Sequence, residues 1–342
     1  MSNPLFVTDA TAWRGQDLEH DETWRFTLSL RHVDEVEAAT QHCVERGLLW
    51  SDIRRENFAL PTLSPVIKAW SQEINNGRGF LLVDGLPVDR LLKEQLRMMF
   101  WGMGTHLGTP LSQNSYGEML GDVYDEGVKM GSGRVRGYRT NQKLLFHTDR
   151  CDIVGLLCMQ DAIRGGMSSI VSSTAIYNEI KRHHPEYLEP LYNGYLHVNM
   201  EEGGAFTTFR VPVYDVVGGT VNCRILRNTI ENARKMGYAR YSQLETDALA
   251  YMDSLANRAD MRLDMMLKRG DMQFINNYTT LHARTEFEDY PEPEKRRHMA
   301  RLWLKTFDQP RPVSAEKFQD YHGVEKTLER TAGEAVAKEI HG

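Results

Sequence analysis

Hydrophobic positions recur with two different periods along this chain. Residues 33 to 46 (VDEVEAATQHCVER) carry apolar residues at helical spacing and stop before Gly47, which predicts an amphipathic helix. A second helix is predicted after Pro61, in LSPVIKAWSQEI, ending at the NNGRG stop signal, and a long third one after Pro87, in DRLLKEQLRMMFWGMGTHLG. FLLV (80–83) and IVGLLCM (153–159) are short unbroken apolar runs, the pattern of strands buried on both faces. MSSIVSS reads as a strand that feeds a helix, TAIYNEIKRHH. FRVPVYDVV (209–217), Gly218-Gly219 and TVNCRIL predict a hairpin with a Gly-Gly turn. A polar helical stretch over about 228 to 258 follows, and strands return at DMQFIN (271–276) and HMARLWLKTF (298–307).

Short strands interrupted by helices, behind a helical first third, predict a mixed α+β fold. Its core would be a double-stranded β-helix (jelly roll) with a helical N-terminal region and helical insertions. A parallel α/β sheet fits less well, because strands and helices do not alternate and no phosphate-cradling glycine motif is present. The expected organisation is one catalytic domain over 1–342. It comprises a mainly helical extension at 1–78, a core at 79–307 and a tail at 308–342. Residues 111 to 143, rich in Gly, Ser, Tyr, Asn and charge, are expected to form a long loop that covers the site as a lid.

Composition narrows the function classes. A net charge of −6 argues against a nucleic-acid partner. The absence of an 18-residue apolar window argues against a membrane span, and the N-terminus has no secretory pattern. Cys43, Cys151, Cys158 and Cys223 form no C-x-x-C pair, so a thiolate zinc site is not expected, and a cytoplasmic location with reduced thiols is. The oligomeric state is not fixed by the chain, and a homo-oligomer is allowed.

The chemistry concentrates in FHTDR (146–150). His147 and Asp149, if strand-borne, project from one face. With twelve histidines in the chain, one His-x-Asp is expected by chance, so the pair alone carries little weight. His282, in NNYTTLHART, would complete a set of two histidines and one carboxylate, the arrangement that suits non-haem Fe(II) with open coordination positions. His183 and His184 read as solvated and His298 as facing away from the core. His106 reads as a helix-end residue facing the last carbonyls. Thr174 reads locally as a helix N-cap. Arg297 and Arg301 lie on one face of an otherwise apolar strand with Met299 and Trp303, where a guanidinium requires an anionic partner. A dicarboxylate would provide one.

In that order, FHTDRCDIVGLLC, GGMSSIVSSTAIYNEI, GDMQFINNYTTLHART and EKRRHMARLWL resemble the Fe(II)/2-oxoglutarate-dependent dioxygenases of the taurine dioxygenase (TauD/TfdA) and clavaminate synthase-like group. The resemblance spans about Gly79 to Phe307. It implies Fe(II) on His147, Asp149 and His282, with 2-oxoglutarate and O2 as cosubstrates. Arg297, 15 residues after His282, would pair with the distal carboxylate of 2-oxoglutarate. Thr174, 27 residues after His147, would hydrogen-bond near its other end. Arg301 competes with Arg297 for that role, contacts the primary substrate, or forms a structural ion pair. The implied reaction is oxidation, by default hydroxylation, of an unactivated C–H bond of a small molecule, with succinate and CO2 released. Asp149 argues against the halogenating relatives, which replace that ligand. An anionic substrate would suit Arg301, and Asn114, Tyr116, Tyr138 and Asn141 are the candidate substrate contacts in the lid. The alternative is a jelly-roll metalloprotein using the same three ligands without 2-oxoglutarate, either a cupin-like enzyme or a non-catalytic binding or sensor protein.

Overall fold

The computed structural model describes residues 6–128, 137–200, 206–307, 311–314, 317–318 and 322–328. Eight α-helices occur among them: α1 (Gly15–Leu18), α2 (Leu30–Glu45), α3 (Leu63–Asn76), α4 (Lys93–Leu107), α5 (Ser173–His183), α6 (Leu188–Asn193), α7 (Arg227–Lys235) and α8 (Gln243–Ala256). Four short strands precede the site motif: β1 (Arg25–Thr27), β2 (Phe80–Asp84), β3 (Gly108–Pro110) and β4 (Leu120–Val123). The middle of the chain holds β5 (Leu144–His147), β6 (Ile153–Gln160), β7 (Arg164–Gly165), β8 (Ser168–Ser172), β9 (Tyr195–Met200), β10 (Phe206–Val211), β11 (Tyr214–Val217) and β12 (Thr220–Cys223). The last five are β13 (Arg262–Met265), β14 (Met272–Asn276), β15 (Thr280–Arg284), β16 (Phe287–Glu288) and β17 (His298–Thr306).

Two sheets organise the molecule. The larger runs β1-β2-β14-β6-β17-β3, with β4 also pairing with β17, and the smaller runs β13-β8-β15-β5. β6 and β17 are apolar on both faces because both faces are covered, one by helices and the other by the second sheet. Ala300, Leu302 and Leu304 of β17 pack against α2, α3 and α4 in the outer cluster. Met299 and Trp303 of the same strand meet Ile170 of β8 and Leu263 of β13 in the cluster between the sheets. A third cluster covers the outside of the smaller sheet, with Val171, Leu281 and Ala283 against α5 and α8.

The departures from the sequence reading have local causes. α4 starts at Lys93 rather than directly after Pro87, because the Gln95 side chain caps the Leu92 N–H at 3.0 Å. Pro212 has no N–H for a ladder and splits the expected 209–217 strand into β10 and β11. The hairpin beyond it forms as expected, with Gly218 and Gly219 at φ 58° and 85° between β11 and β12. The polar helical stretch expected over about 228 to 258 consists of two helices, α7 and α8. Gly237 turns the chain at φ 78°, and Ser242 begins α8 with a Glu245 capping box. The 1–78 segment is mainly helical but not wholly so, since β1 within it joins the larger sheet beside β2. The 111–143 segment is not wholly loop either. β4 within it pairs with β17, setting Gly121 opposite Arg301, and residues 129–136 lie outside the described ones.

Candidate active site

The three candidate ligands come from the place where the chain crosses between the sheets. His147 is the last residue of β5 in the smaller sheet, Asp149 sits in the turn that follows, and β6 then enters the larger sheet. The shared strand face expected for His147 and Asp149 is therefore replaced by a strand end plus a turn. His282 lies within a strand of its own, β15, directly opposite His147 in the ladder. One ligand atom from each of the three lies within 4.8 Å of the other two, and they are the sole such group of His, Cys, Asp or Glu among the described residues. The two imidazole centroids are 4.2 Å apart, and His282 Nε2 lies 3.9 Å from Asp149 Oδ2.

Each ligand is oriented by a neighbour. His147 Nδ1 is 2.8 Å from the Leu145 carbonyl, so Nδ1 carries the proton and Nε2 keeps its lone pair for a metal. Asp149 Oδ2 accepts from Trp303 Nε1 at 2.9 Å and from Arg301 Nη1 at 3.4 Å, and the Asp149 backbone N–H donates to Asn277 Oδ1 at 2.9 Å. Burial alone would raise the Asp149 pKa, but Arg301, the two histidines and the Trp303 bond outweigh it and hold the carboxyl below its ordinary value. Burial first and His147 second push the His282 pKa down to about 3, which keeps its imidazole neutral and able to bind a metal.

A cavity of about 250 Å³ opens on these ligands. Ser168, Leu156 and Leu267 line it with Arg284, Arg297 and Arg301, while Arg227, Asn228 and Thr229 of α7 close another side. Arg297 is 6% exposed, and its Nη1 has no hydrogen-bond partner. Arg284, which the sequence reading did not select, is equally buried and has two unpartnered atoms, Nε and Nη1. The signal available for Arg284 was its position two residues after His282, which puts both on the same face of β15.

The remaining predicted residues divide. Thr174 does not line the cavity. It is the second residue of α5, its hydroxyl donates to Thr11 Oγ1 at 3.1 Å, and it lies 3.0 Å from Ser172 Oγ. The N-cap is Ser172, which accepts from Ala175 N–H, so the cap reading of Thr174 is also displaced by two residues. Ser168, the first residue of β8, faces the cavity instead and donates to Gln273 Oε1 at 3.1 Å. Arg301 reaches the cavity and stacks on Tyr138 with its guanidinium carbon 4.7 Å from the ring centroid. Its Nε donates to Gln113 Oε1 at 2.8 Å. Tyr138 lines both this cavity and a larger polar groove of about 990 Å³ behind Arg297 and Arg301. Asn114 and Tyr116 line only that groove. Asn141 lines neither, and its carbonyl accepts from the Phe287 N–H. His298 is buried rather than outward, 2.8 Å from Asp122, because β4 covers that edge of β17. His106 contacts the Phe58 carbonyl at 2.8 Å, not the end of its own helix. His183 is exposed as expected, whereas His184 is half-buried and stacks on Tyr187. Val324, beyond the expected core, also lines the cavity, carried by a segment whose Gly323 N–H donates to the Arg150 carbonyl.

Comparisons with known proteins agree with this geometry. The profile of the taurine catabolism dioxygenase TauD, TfdA family matches residues 39–303. FR-33289 synthase of Streptomyces rubellomurinus is 28% identical over 305 residues, covering 87% of this chain and 90% of the relative. The taurine hydroxylase-like protein SAT17 of Stachybotrys chartarum is 29% identical over 310 residues, covering 86% of this chain and 79% of the relative. In structure, asparagine oxygenase in complex with Fe(II), 2S,3S-3-hydroxyasparagine and succinate superposes with a TM-score of 0.66 at 15% identity. The non-haem iron oxygenase OrfP in complex with Fe and α-ketoglutaric acid superposes with a TM-score of 0.61 at 12% identity. Each superposition covers 83% of this chain and 94% of the other.

Proposed function

The chain belongs to the TauD/TfdA family and is an oxidoreductase of the dioxygenase type; from that premise we propose that it uses Fe(II), 2-oxoglutarate and O2 to hydroxylate a C–H bond of a small molecule. The observation that carries the proposal is the His147–Asp149–His282 cluster opening on a cavity that also holds the unpartnered Nη1 of Arg297. We read the two facing sheets as the halves of a jelly roll and the whole chain as one catalytic domain.

The residues fit the absent groups. Two imidazoles and one carboxylate suit a ferrous ion that keeps open positions. A buried guanidinium without a counter-ion suits a carboxylate. Iron with 2-oxoglutarate and O2 supplies the oxidising equivalent, and succinate and CO2 leave with the product. The protein's own part is to hold and to exclude. His147 presents Nε2 because Leu145 holds the Nδ1 proton. Trp303 and Arg301 fix the Asp149 carboxylate in place. Arg297 would take the distal carboxylate of 2-oxoglutarate, and Ser168, in place of Thr174, would turn its hydroxyl from Gln273 Oε1 to donate to it. Leu156 and Leu267 supply apolar lining that would keep water from a bound cosubstrate. Arg301 serves first as the partner of Asp149, which favours the ion-pair role over cosubstrate binding. The primary substrate enters from the side of Tyr138 and α7, where Asn228 and Thr229 offer polar contacts.

Adding 2-oxoglutarate to the Fe(II)-loaded protein under nitrogen should give a visible metal-to-ligand charge-transfer band. Succinate should then form when a matching substrate and air are supplied. A protein that binds iron but gives no band with 2-oxoglutarate would instead be a metalloprotein of the same fold with other chemistry.

A further inference from the structure

We propose that Arg284 is a second guanidinium of the cosubstrate site, closing with Arg297 on the distal carboxylate of the dicarboxylate. The proposal rests on the dioxygenase reading above. Three observations lead to it.

First, the ladder sets Arg284 of β15 directly opposite Ser168 of β8, so the two side chains leave the same face of the smaller sheet side by side. His282 is two residues back on that face, so Arg284 follows the iron ligand along the same wall of the cavity.

Second, Arg284 and Arg297 converge although one lies on β15 of the smaller sheet and the other just before β17 of the larger. Both guanidinium carbons lie over the ring of Phe287, at 4.7 and 5.0 Å from its centroid. Gly166 permits this approach, since a Cβ there would come within 2.9 Å of Arg297 Nε.

Third, the charges are not balanced. Among the described residues Arg301 pairs with Asp149 and Arg227 with Asp253 at 3.0 Å, while neither Arg284 nor Arg297 forms an ion pair; Asp289, which accepts from the Arg297 backbone N–H, acts on both guanidiniums only at longer range. Arg284 Nη2 is held by the Thr140 and Gln142 carbonyls. That anchor fixes the side chain and leaves Nε and Nη1 without partners beside the cavity. Two buried guanidiniums sharing one aromatic ring are costly unless an anion sits with them. A single carboxylate satisfies both, with hydrogen bonds from each.

The test is a titration of the Fe(II)-loaded protein under nitrogen, following the charge-transfer band. It uses 2-oxoglutarate and, as a probe lacking the distal carboxylate, pyruvate. Arg284→Gln should weaken 2-oxoglutarate binding by about 10- to 100-fold, the range of one charge-assisted hydrogen-bond pair. It should leave pyruvate affinity unchanged, and Arg284→Lys should recover part of the loss. If Arg284→Gln leaves 2-oxoglutarate affinity intact while Arg297→Gln destroys it, Arg284 is not a cosubstrate ligand. The proposal is overturned as well if both probes weaken equally, since that would report general damage to the site. If the wild-type protein gives no band with 2-oxoglutarate, the dioxygenase reading falls rather than this refinement of it. Circular dichroism and melting temperature of each variant separate a folding defect from a lost ligand.

Discussion

At the scale of single residues, function depends on which polar atoms are already spoken for. Thr174 and Ser168 are both hydroxyls on the β8–α5 segment, yet Thr174 is held away from the cavity by Thr11 and Ser172 while Ser168, bonded to Gln273, lines it. Thr174→Val should therefore leave 2-oxoglutarate affinity within about 2-fold and cost about 1 kcal/mol of stability through the lost buried hydrogen bonds. Ser168→Ala should weaken the cosubstrate instead, and the charge-transfer titration reads both. Trp303 is the residue whose role reaches furthest beyond its size. Its indole N–H holds Asp149 Oδ2 at 2.9 Å, so Trp303→Phe should keep the fold and lower ferrous-ion affinity by about 10- to 100-fold, measured by metal titration. The sequence pattern put Trp303 on the same face as Arg297 and Arg301, but the acceptor its indole would find was not legible. That acceptor comes from another strand connection, 154 residues away.

At the scale of elements, the site is assembled by strand ends and turns as well as by the inner face of β15. His147 closes β5 and Asp149 belongs to the turn that carries the chain into the other sheet. Gly165 and Gly166 make the corresponding turn before β8, at φ 76° and 72°, a backbone conformation that side chains with a Cβ resist. Gly166→Ala would add strain of about 1 to 2 kcal/mol and press on Arg297 at once. The expected outcome is a lower melting temperature together with weaker 2-oxoglutarate binding. A purely local turn defect would lower the melting temperature alone. Helices and the longest strands were legible because their burial is one-sided at period 3.6 or complete over seven or eight residues, as in α2, α3, β6 and β17. β13 and β15 were missed. RLDM is short and half charged, and TLHAR carries its functional residues where an apolar pattern would otherwise announce a strand.

At the scale of the whole molecule, stability should depend on pH through buried histidines. Burial, reinforced by the Arg224 charge, lowers the His197 pKa to about 3, and its Nδ1 lies 3.0 Å from the Thr229 hydroxyl. In the unfolded chain the same imidazole titrates near 6.5. Between those values the unfolded state binds the extra proton, so the folded state loses stability as pH falls from about 6.5 toward 3, at up to about 1.4 kcal/mol per unit. Chemical denaturation at a series of pH values should show this slope, and His197→Asn should flatten it. His282 adds a contribution of the same sign in metal-free protein. No helix among the described residues is long and apolar enough to cross a membrane, and all four cysteines are buried and free.

By itself, the sequence determined the things that depend on local order: the helices with an apolar stripe, the doubly buried strands, and the set His147, Asp149, His282 and Arg297 in the sequential order and spacing of one family. Those signals survive in one dimension because periodicity and motif spacing are properties of neighbouring positions. Only the tertiary structure decided that Ser168 rather than Thr174 meets the cavity, that Arg301 is bonded to Asp149, and that Arg284 joins Arg297 over Phe287. Each of those outcomes depends on which strand lies opposite which, and on whether a buried polar atom has already found its partner. Ladder register and long-range hydrogen bonds set both, and neither leaves a periodic trace along the chain.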